Sequence, residues 1–234
     1  RLIVAETSIM EEAYEVVIEA ATKRSVDCVV VDSLGMLVPS EEDAKAMDEN
    51  SSLGIGARLN AKFFRKIVKA TKRSQTDADR PFLGLMINQW YSKVGVIYGS
   101  PKESTGGKKK NYAYAVRLDL TRDKWLEGGV GKEKSRIGQT VAATTLKNKT
   151  APNGRRALYD IYFDQGGSVA PGRIDYAKEI ATLSILFEII KKSGSWLSYG
   201  DATWQGADNL ASAIREDSSL YTALEQAVLE RVSS

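Results

Sequence analysis

The chain has 234 residues, of which 43% are hydrophobic and 27% charged, and its 33 basic and 30 acidic side chains give a net charge of +3. This length can bury a substantial core in one large domain, or in one medium domain with a small appendage. The absence of histidine excludes histidine-based catalysis and histidine-containing zinc sites, and the single cysteine, Cys28, excludes a disulfide framework. We therefore expect a reducing compartment, the cytoplasm.

The first fifty residues predict one helix, one strand and one loop. The chain opens at Arg1 with RLIVAE, which is strand-like and has no initiator methionine, so we expect a fragment of a longer protein. Residues 9–24 carry apolar side chains at helical spacing. The run VDCVVVD predicts a strand buried on both faces of a parallel sheet, with Cys28 as a small buried side chain. The acidic stretch 40–52 predicts a loop.

Residues 53–74 predict a second helix, and this helix is strongly basic. Its apolar stripe is formed by Ile55, Leu59, Phe63, Ile67 and Ala70. The opposite face carries a row of cations at steps of four and three residues, namely Arg58, Lys62, Arg65, Lys69 and Lys72. The row is either an ordinary solvated face or a surface for a polyanion.

The segregation of charge along the chain favours the polyanion. Residues 1–50 carry 4 basic and 12 acidic side chains, whereas residues 53–76 carry 7 basic side chains and no acid. Residues 90–136 carry 11 basic and 5 acidic side chains, and the last 35 residues carry 2 basic and 6 acidic ones. Basic central segments between acidic ends are typical of proteins that bind a polyanion on one surface.

The remaining elements predict a sheet followed by a small second domain. PFLGLMIN, residues 81–88, predicts a second buried strand, and residues 90–111 predict a long loop rich in Gly, Ser and Lys. The alternating segments YAYAVRLDL, QTVAATTLK and ALYDIYF predict further strands. Beyond about residue 165 we expect an apolar helix over 175–192, the segment GSWLSYG and an acidic helix over 219–232. No segment has the roughly 20 apolar residues that a membrane span needs.

Two pairs of polar residues follow the two buried strands. Asp32 and Ser33 end the run VVVDS, an arrangement with which P-loop ATPases hold the magnesium ion of a nucleotide through water. Asn88 and Gln89 follow the second strand, where an amide could sense a γ-phosphate and pass its presence to the next loop. Each pair could equally be an ordinary strand end.

A third candidate lies in the segment LKNKTAP. Lys147 and Lys149 flank Asn148, and alternate residues of a strand point the same way, so both ammonium groups can reach one anion. The alternative is an exposed edge strand, where lysine is common because it discourages strand pairing.

In this order, the segments resemble the bacterial RecA recombinases. The resemblance rests on VVVDSLGMLVP, GIGARLNAKFFRKI, MINQWYSKVGVIYGSPKESTGGKKKNYAYAVRLDL, LKNKTAP and GSWLSYG, and it extends over essentially the whole chain. It implies an α/β fold with a RecA-type P-loop ATPase core and a mostly parallel central sheet over residues 1–164. A small C-terminal α/β domain would occupy residues 165–234. The function implied is that of an ATP-dependent recombinase that forms a helical homo-oligomer on single-stranded DNA and exchanges strands with homologous duplex DNA.

The resemblance also implies roles for individual residues. Asp32, through water, and Ser33 would hold the Mg²⁺ of ATP, and Gln89 would link the γ-phosphate to the DNA loop. Lys147 and Lys149 would reach the ATP of the next subunit. The subunit-interface position corresponds to Tyr112. The first DNA loop corresponds to residues 41–53 and the second to 90–111, and the DNA-binding positions correspond to Arg58, Arg65, Lys93, Val94, Gly106, Gly107 and Lys108.

The chain departs from the family in ways that leave alternatives open. The phosphate-cradling pattern G-x-x-x-x-G-K-[ST] is absent, and the resemblance places it, together with a catalytic glutamate, before Arg1. As it stands, this chain is not expected to hydrolyse ATP. Trp90, Tyr91 and the lysines 108–110 replace more typical residues and could add base stacking and phosphate contacts. The alternatives are a non-hydrolysing DNA-binding paralogue and a hexameric RecA-fold helicase.

Overall fold

The computed structural model describes residues 1–47, 49, 54–76, 82–92, 95, 102–107, 109–129 and 134–233. The chain divides into two compact units, Arg1–Tyr114 and Ala115–Ser234. Among the described residues, no helix combines the length and the apolar character needed to cross a bilayer.

Within the described residues, the first unit combines helices with two small sheets. Its helices are α1 (Met10–Lys23), α2 (Ser40–Asp43), α3 (Ile55–Thr76) and α4 (Lys110–Ala113), with a 3₁₀ turn at Leu34–Met36. Its strands are β1 (Cys28–Val31), β2 (Leu83–Met86), β3 (Trp90–Ser92) and β4 (Lys102–Ser104). Strands β1 and β2 pair in parallel, and β3 and β4 form an antiparallel hairpin.

The core of this unit lies between α1, α3 and one face of the β1–β2 sheet. Helix α1 buries Met10, Tyr14, Val17 and Ala21, whose spacing of four, three and four residues forms one helical stripe. The Tyr14 ring stacks on Phe63 of α3 at 4.0 Å between centroids. Val31 of β1 is buried in the same cluster. The predicted helices 9–24 and 53–74 are thus confirmed to within two residues at each end.

The other face of the β1–β2 sheet corrects a prediction. Cys28 is exposed and Val30 is 56% exposed, and the paired residues Leu83 and Leu85 are 54% and 46% exposed. The prediction of strands buried on both faces, with a buried Cys28, is therefore wrong for the described structure. The physical reason is that α1 and α3 cover one face only, and alternate residues of each strand point to the opposite face.

The second unit combines a long antiparallel sheet with a small α/β cluster. Strands β5 (Val116–Gly128), β6 (Ser135–Asn148) and β7 (Arg156–Tyr162) form the sheet in that order. The α/β cluster, which makes up the rest of this unit, contains α5 (Tyr176–Leu186), β8 (Lys191–Ser193), β9 (Trp196–Tyr199), β10 (Ala202–Gln205), α6 (Ala207–Glu216) and α7 (Ser218–Ser233). The chain is thus α/β. Among the strands of the described residues, β1 and β2 pair in parallel and the others pair antiparallel, so the expected mostly parallel central sheet is not confirmed beyond this pair.

The predicted helix 175–192 is shorter than expected. Helix α5 ends at Leu186, and Glu188 adopts a left-handed conformation with φ of 58°. The chain then turns back, and the N–H groups of Ile189 and Ile190 both donate to the carbonyl of Ser184. This reversal places Ile190, which is 1% exposed, in the core beside Leu210 and Leu224.

A network of hydrogen bonds and ion pairs around the buried carboxylates of Asp160 and Asp175 joins the α/β cluster to the long sheet. The Asp175 carboxylate caps α5 by accepting from the Lys178 N–H at 3.1 Å, and it also accepts from Ser168 and, at 3.2 Å, from Arg215 of α6. The Lys178 ammonium donates at 2.6 Å to Asp160 of β7. These pairs place both parts in one unit. The predicted domain boundary at residues 164 and 165 stays a prediction.

The state of Asp175 makes the stability of this unit depend on pH. Burial by itself raises the pKa of the Asp175 carboxyl, but the hydrogen bonds from Ser168, Arg215 and the Lys178 N–H outweigh burial, and the pKa lies below its ordinary value. A carboxyl whose pKa is lowered by folding stabilises the fold above the unfolded pKa of about 3.9, and this stabilisation is lost as the pH falls through the folded pKa.

We expect Asp175→Asn, which keeps the shape of the helix cap but removes its charge, to lower the free energy of unfolding by about 1–3 kcal/mol at pH 7. Urea unfolding measures this difference, with the exposed Asp201→Asn as the matched control. The difference between Asp175→Asn and wild type should shrink as the pH is lowered below about 4. A difference that stays constant down to pH 3 would contradict the role assigned to the charge.

Candidate functional site

The first part of the site is the edge at which β1 and β2 both end. The Ile87 N–H donates to the Val31 carbonyl and the Leu34 N–H donates to the Ile87 carbonyl, both at 3.0 Å. These bonds continue the parallel pairing past the strands. They bring the segment with Asp32 and Ser33 next to the one with Asn88 and Gln89, as the sequence predicts.

Asp32 suits a magnesium ion that is held through water. Its side chain is exposed at the end of β1, whereas Ser33 beside it is 5% exposed. No cluster of three potential metal-ligating side chains occurs among the described residues. Magnesium commonly keeps several waters and takes only one or two protein carboxylates together with the phosphates of its nucleotide. A single exposed carboxylate therefore fits this ion.

Asn88 connects the strand edge directly to Thr105, in the segment predicted to be the second DNA loop. Its amide nitrogen donates to the Thr105 carbonyl at 2.9 Å, and its amide oxygen accepts from the Thr105 hydroxyl at 2.6 Å. The same oxygen accepts from the N–H of Gln89 at 2.9 Å, and the Gln89 side chain is exposed. The predicted role of Gln89 as the link to a γ-phosphate stays a prediction, and Asn88, to which the family resemblance assigns no role of its own, makes the contact with Thr105.

The segment 104–107 has a conformation that requires glycine. Gly106 and Gly107 have φ angles of 95° and 72°. A Cβ atom at Gly106 would lie 3.2 Å from Asn60 Oδ1 of α3. The backbone of Gly106 therefore lies so close to Asn60 of α3 that a side chain at position 106 would crowd it.

Asn60 is a polar residue buried in the apolar stripe of α3. It is 3% exposed, accepts from the Tyr14 hydroxyl at 2.7 Å and donates to the Gly56 carbonyl at 2.8 Å. Burial raises the pKa of Tyr14, so the phenol stays protonated and donates. Sequence reasoning missed Asn60. The available signal is its position three and seven residues before Phe63 and Ile67, on the stripe itself.

Lys110 also departs from its predicted surroundings. It is 3% exposed, and its ammonium donates to the carbonyls of Ser104 at 2.8 Å and Gly107 at 2.9 Å. The suggestion that this lysine adds a phosphate contact is therefore not borne out in this conformation. Its neighbour Lys109 is exposed. The predicted DNA contacts Lys93, Val94 and Lys108 lie outside the described residues, as do residues 48 and 50–53 of the predicted first DNA loop.

The basic row of α3 is confirmed through Lys69. Arg58, Lys62, Arg65 and Lys69 are all exposed. Lys66, one position beyond Arg65, is also exposed but forms an ion pair with Glu15 of α1 at 2.8 Å. The row therefore presents its cations to solvent, whereas Lys66 already has a carboxylate partner.

Lys147 and Lys149 lie at the end of β6 in the second unit. Lys147 pairs across the strands with Arg117, and the Lys149 N–H donates to the Ala115 carbonyl at 3.0 Å. Burial, and then the charges of Lys149 and Arg117, hold the pKa of the Lys147 ammonium below its ordinary value. The Asn148 side chain accepts from the N–H of Thr150 at 3.0 Å and shapes the turn. Lys147, Lys149 and Arg117 thus form a cluster of three cations, in which the charges of the other two act on the Lys147 ammonium.

Tyr112 is exposed on the short helix α4. Its side chain is 79% exposed, and its N–H donates to the Lys109 carbonyl at 3.1 Å. An aromatic ring presented in this way is suited to contact another molecule.

Two domain families match the chain. Residues 1–168 match the RecA N-terminal domain and residues 178–233 match the RecA C-terminal domain. The chain is 34% identical to Protein RecA of Chlorobaculum tepidum over 233 residues, which is 99% of this chain and 62% of that protein. It is 35% identical to Protein RecA of Paenarthrobacter aurescens over 232 residues, again 99% of this chain and 62% of that protein. The chain thus spans about three fifths of these relatives' length.

We expect Gly106→Ala to distort the base of the second loop, because the new methyl group meets Asn60 and the backbone prefers glycine. Gly54→Ala is the matched control, since Gly54 also has a positive φ of 76° but a Cβ there meets nothing within 4 Å. Gly106→Ala should weaken binding of single-stranded DNA by about tenfold or more, and Gly54→Ala by less. Fluorescence anisotropy with a labelled oligonucleotide measures both, and equal effects would contradict the role of the Asn60 contact.

Proposed function

The chain belongs to the RecA family, and we propose on that basis that it works as an ATP-dependent recombinase in the cytoplasm. It would assemble as a helical filament on single-stranded DNA and exchange strands with homologous duplex DNA. The observation that carries this proposal is the bond between Asn88 and Thr105. It joins the edge proposed to meet the nucleotide to a loop that lies against the basic helix α3.

The nucleotide would meet this chain at the β1–β2 edge. Asp32, through water, and Ser33 would lie next to the magnesium ion of the nucleotide. When bound, this ion neutralises part of the charge of the phosphates. The exposed amide of Gln89 would meet the γ-phosphate. A movement of Gln89 would reach the loop through its neighbour, because the Gln89 N–H is bonded to the Asn88 amide and that amide holds Thr105.

Single-stranded DNA would lie along α3 and the second loop. Arg58 and Arg65 are exposed on the same face of α3, about two turns apart. Gly106 and Gly107 bring backbone close to the same helix. The exposed rings of Trp90 and Tyr91 are 40% and 44% exposed, and such rings suit base stacking. Contacts of both types bind without sequence choice, which fits a protein that leaves sequence reading to base pairing.

The cation cluster of the second unit would complete the ATP site of a neighbouring subunit. The charges of Lys149 and Arg117 lower the pKa of the Lys147 ammonium, and the phosphates of a nucleotide would be attracted to the same cluster of positive charge. Tyr112 would pack into the neighbouring subunit. In this arrangement the filament brings the two halves of each site together, so hydrolysis would depend on assembly. The domain boundary near residue 165 belongs to the same proposal.

We expect Arg58→Ala and Arg65→Ala each to weaken binding of single-stranded DNA and to lower the slope of log K against log salt by about 0.7. The slope falls because each phosphate contact that is lost lowers the number of counterions released when the protein binds. Lys66→Ala is the matched control on the same helix, since Lys66 already pairs with Glu15. Anisotropy titrations between about 50 and 200 mM salt measure the slopes. Slopes equal to that of wild type in both arginine variants would move the DNA site elsewhere.

We expect Lys147→Ala and Lys149→Ala, made in the complete encoded protein, to reduce DNA-stimulated ATP hydrolysis by about a hundredfold or more. Nucleotide binding should largely survive, because each lysine would act on the ATP held by its neighbour. Phosphate release and binding of a fluorescent ATP analogue measure the two properties, with Lys124→Ala on the same sheet as the control. Unchanged turnover in both lysine variants would remove this assignment.

A further inference from the structure

We propose that Lys110 is a positioning residue that closes the base of the second DNA loop and thereby couples nucleotide state to DNA affinity. This inference rests on the proposed function and names a regulatory element of the same site. Its starting point is the unusual surroundings of Lys110. The residue is 3% exposed, yet it lies in a run of lysines that composition alone assigns to the surface.

The bonds of Lys110 close a small ring of backbone. Its ammonium donates to the carbonyls of Ser104 and Gly107, on either side of Thr105 and Gly106. Burying an ammonium group is costly unless its N–H groups are hydrogen-bonded, and carbonyl oxygens meet that need. Hydrogen bonds from a charged donor are also stronger than those between neutral groups. Lys110 therefore holds the two ends of segment 104–107 together.

The same segment is held from the opposite direction by the strand edge. Thr105 bonds twice to Asn88, and Gly106 lies against Asn60 of α3. Lys110, Asn88 and Asn60 are thus three supports of one four-residue segment. A displacement of Asn88 is passed to Thr105 through their two hydrogen bonds. Because Lys110 holds Ser104 and Gly107 together, residues 104–107 then move as one unit. Without Lys110, a displacement of Thr105 would separate Ser104 from Gly107 and would not be transmitted to the rest of the loop.

The test compares Lys110→Met, which keeps the length but removes the donors, with Lys110→Arg, which keeps a cation, and with Lys109→Met at the exposed neighbour. Hydrogen exchange of amides 102–107, without DNA or nucleotide, should be about tenfold faster in Lys110→Met alone. Unchanged exchange in Lys110→Met would overturn the proposal. This arm does not depend on DNA binding.

The second arm measures coupling in the complete encoded protein. The ratio of the Kd for single-stranded DNA without and with a non-hydrolysable ATP analogue should fall towards one in Lys110→Met and be largely retained in Lys110→Arg. The salt slope should stay at the wild-type value. A slope lowered by about 0.7, with the ratio retained, would instead make Lys110 a phosphate contact and overturn the proposal.

A further variant guards against misfolding of Lys110→Met. Thr105→Val removes the hydroxyl that bonds to Asn88 and should abolish the same coupling while leaving the salt slope unchanged. Retained coupling in Thr105→Val would overturn the proposed route. If wild type itself fails to bind single-stranded DNA, the proposed function fails, whereas the exchange comparison still decides whether Lys110 closes the segment.

Discussion

The parallel pairing of β1 and β2 is the constraint on which the candidate nucleotide edge depends. It places the carboxyl ends of the two strands at one edge, and the bonds of Ile87 to Val31 and Leu34 extend that pairing into the following turns. Asp32 and Asn88, which lie more than fifty residues apart in sequence, become neighbours only through this register. Asn88 can then reach Thr105, and the edge and the second loop become one connected structure.

The cations of the first unit fall into an exposed group and a buried one, and the two groups use their charge differently. Arg58, Lys62, Arg65 and Lys69 are exposed and offer their charges to a polyanion. Lys110 is buried and uses its charge on two backbone carbonyls. Lys66 is exposed like the first group, but its charge is already paired with the Glu15 carboxylate of α1. A count of basic residues therefore overstates the number of cations that are exposed without a carboxylate partner on α1.

The second unit uses charge in a third way. Arg215 pairs with Asp175 within the small α/β cluster, Lys178 pairs with Asp160 of β7, and the Lys178 N–H bond to Asp175 links these two ion pairs. At the other end of the long sheet, Lys147 lies near Lys149 and Arg117, whose charges help to lower the pKa of its ammonium group. The first arrangement stabilises the fold, whereas the second is suited to binding.

The sequence by itself determined the elements with strong periodicity and the family. Helices α1 and α3, strand β7, parts of β5 and β6, and the exposed row from Arg58 to Lys69 follow from the local spacing of apolar and charged residues. The motifs around Asp32, Asn88 and Gly106 were recognisable because the residues adjoin one another. Only the tertiary structure decided which residues are covered. It left Cys28 exposed, buried Asn60 and Lys110, and joined Asn88 to Thr105. Burial and hydrogen-bond partners depend on segments that are distant in sequence, and periodicity within one segment carries no information about them.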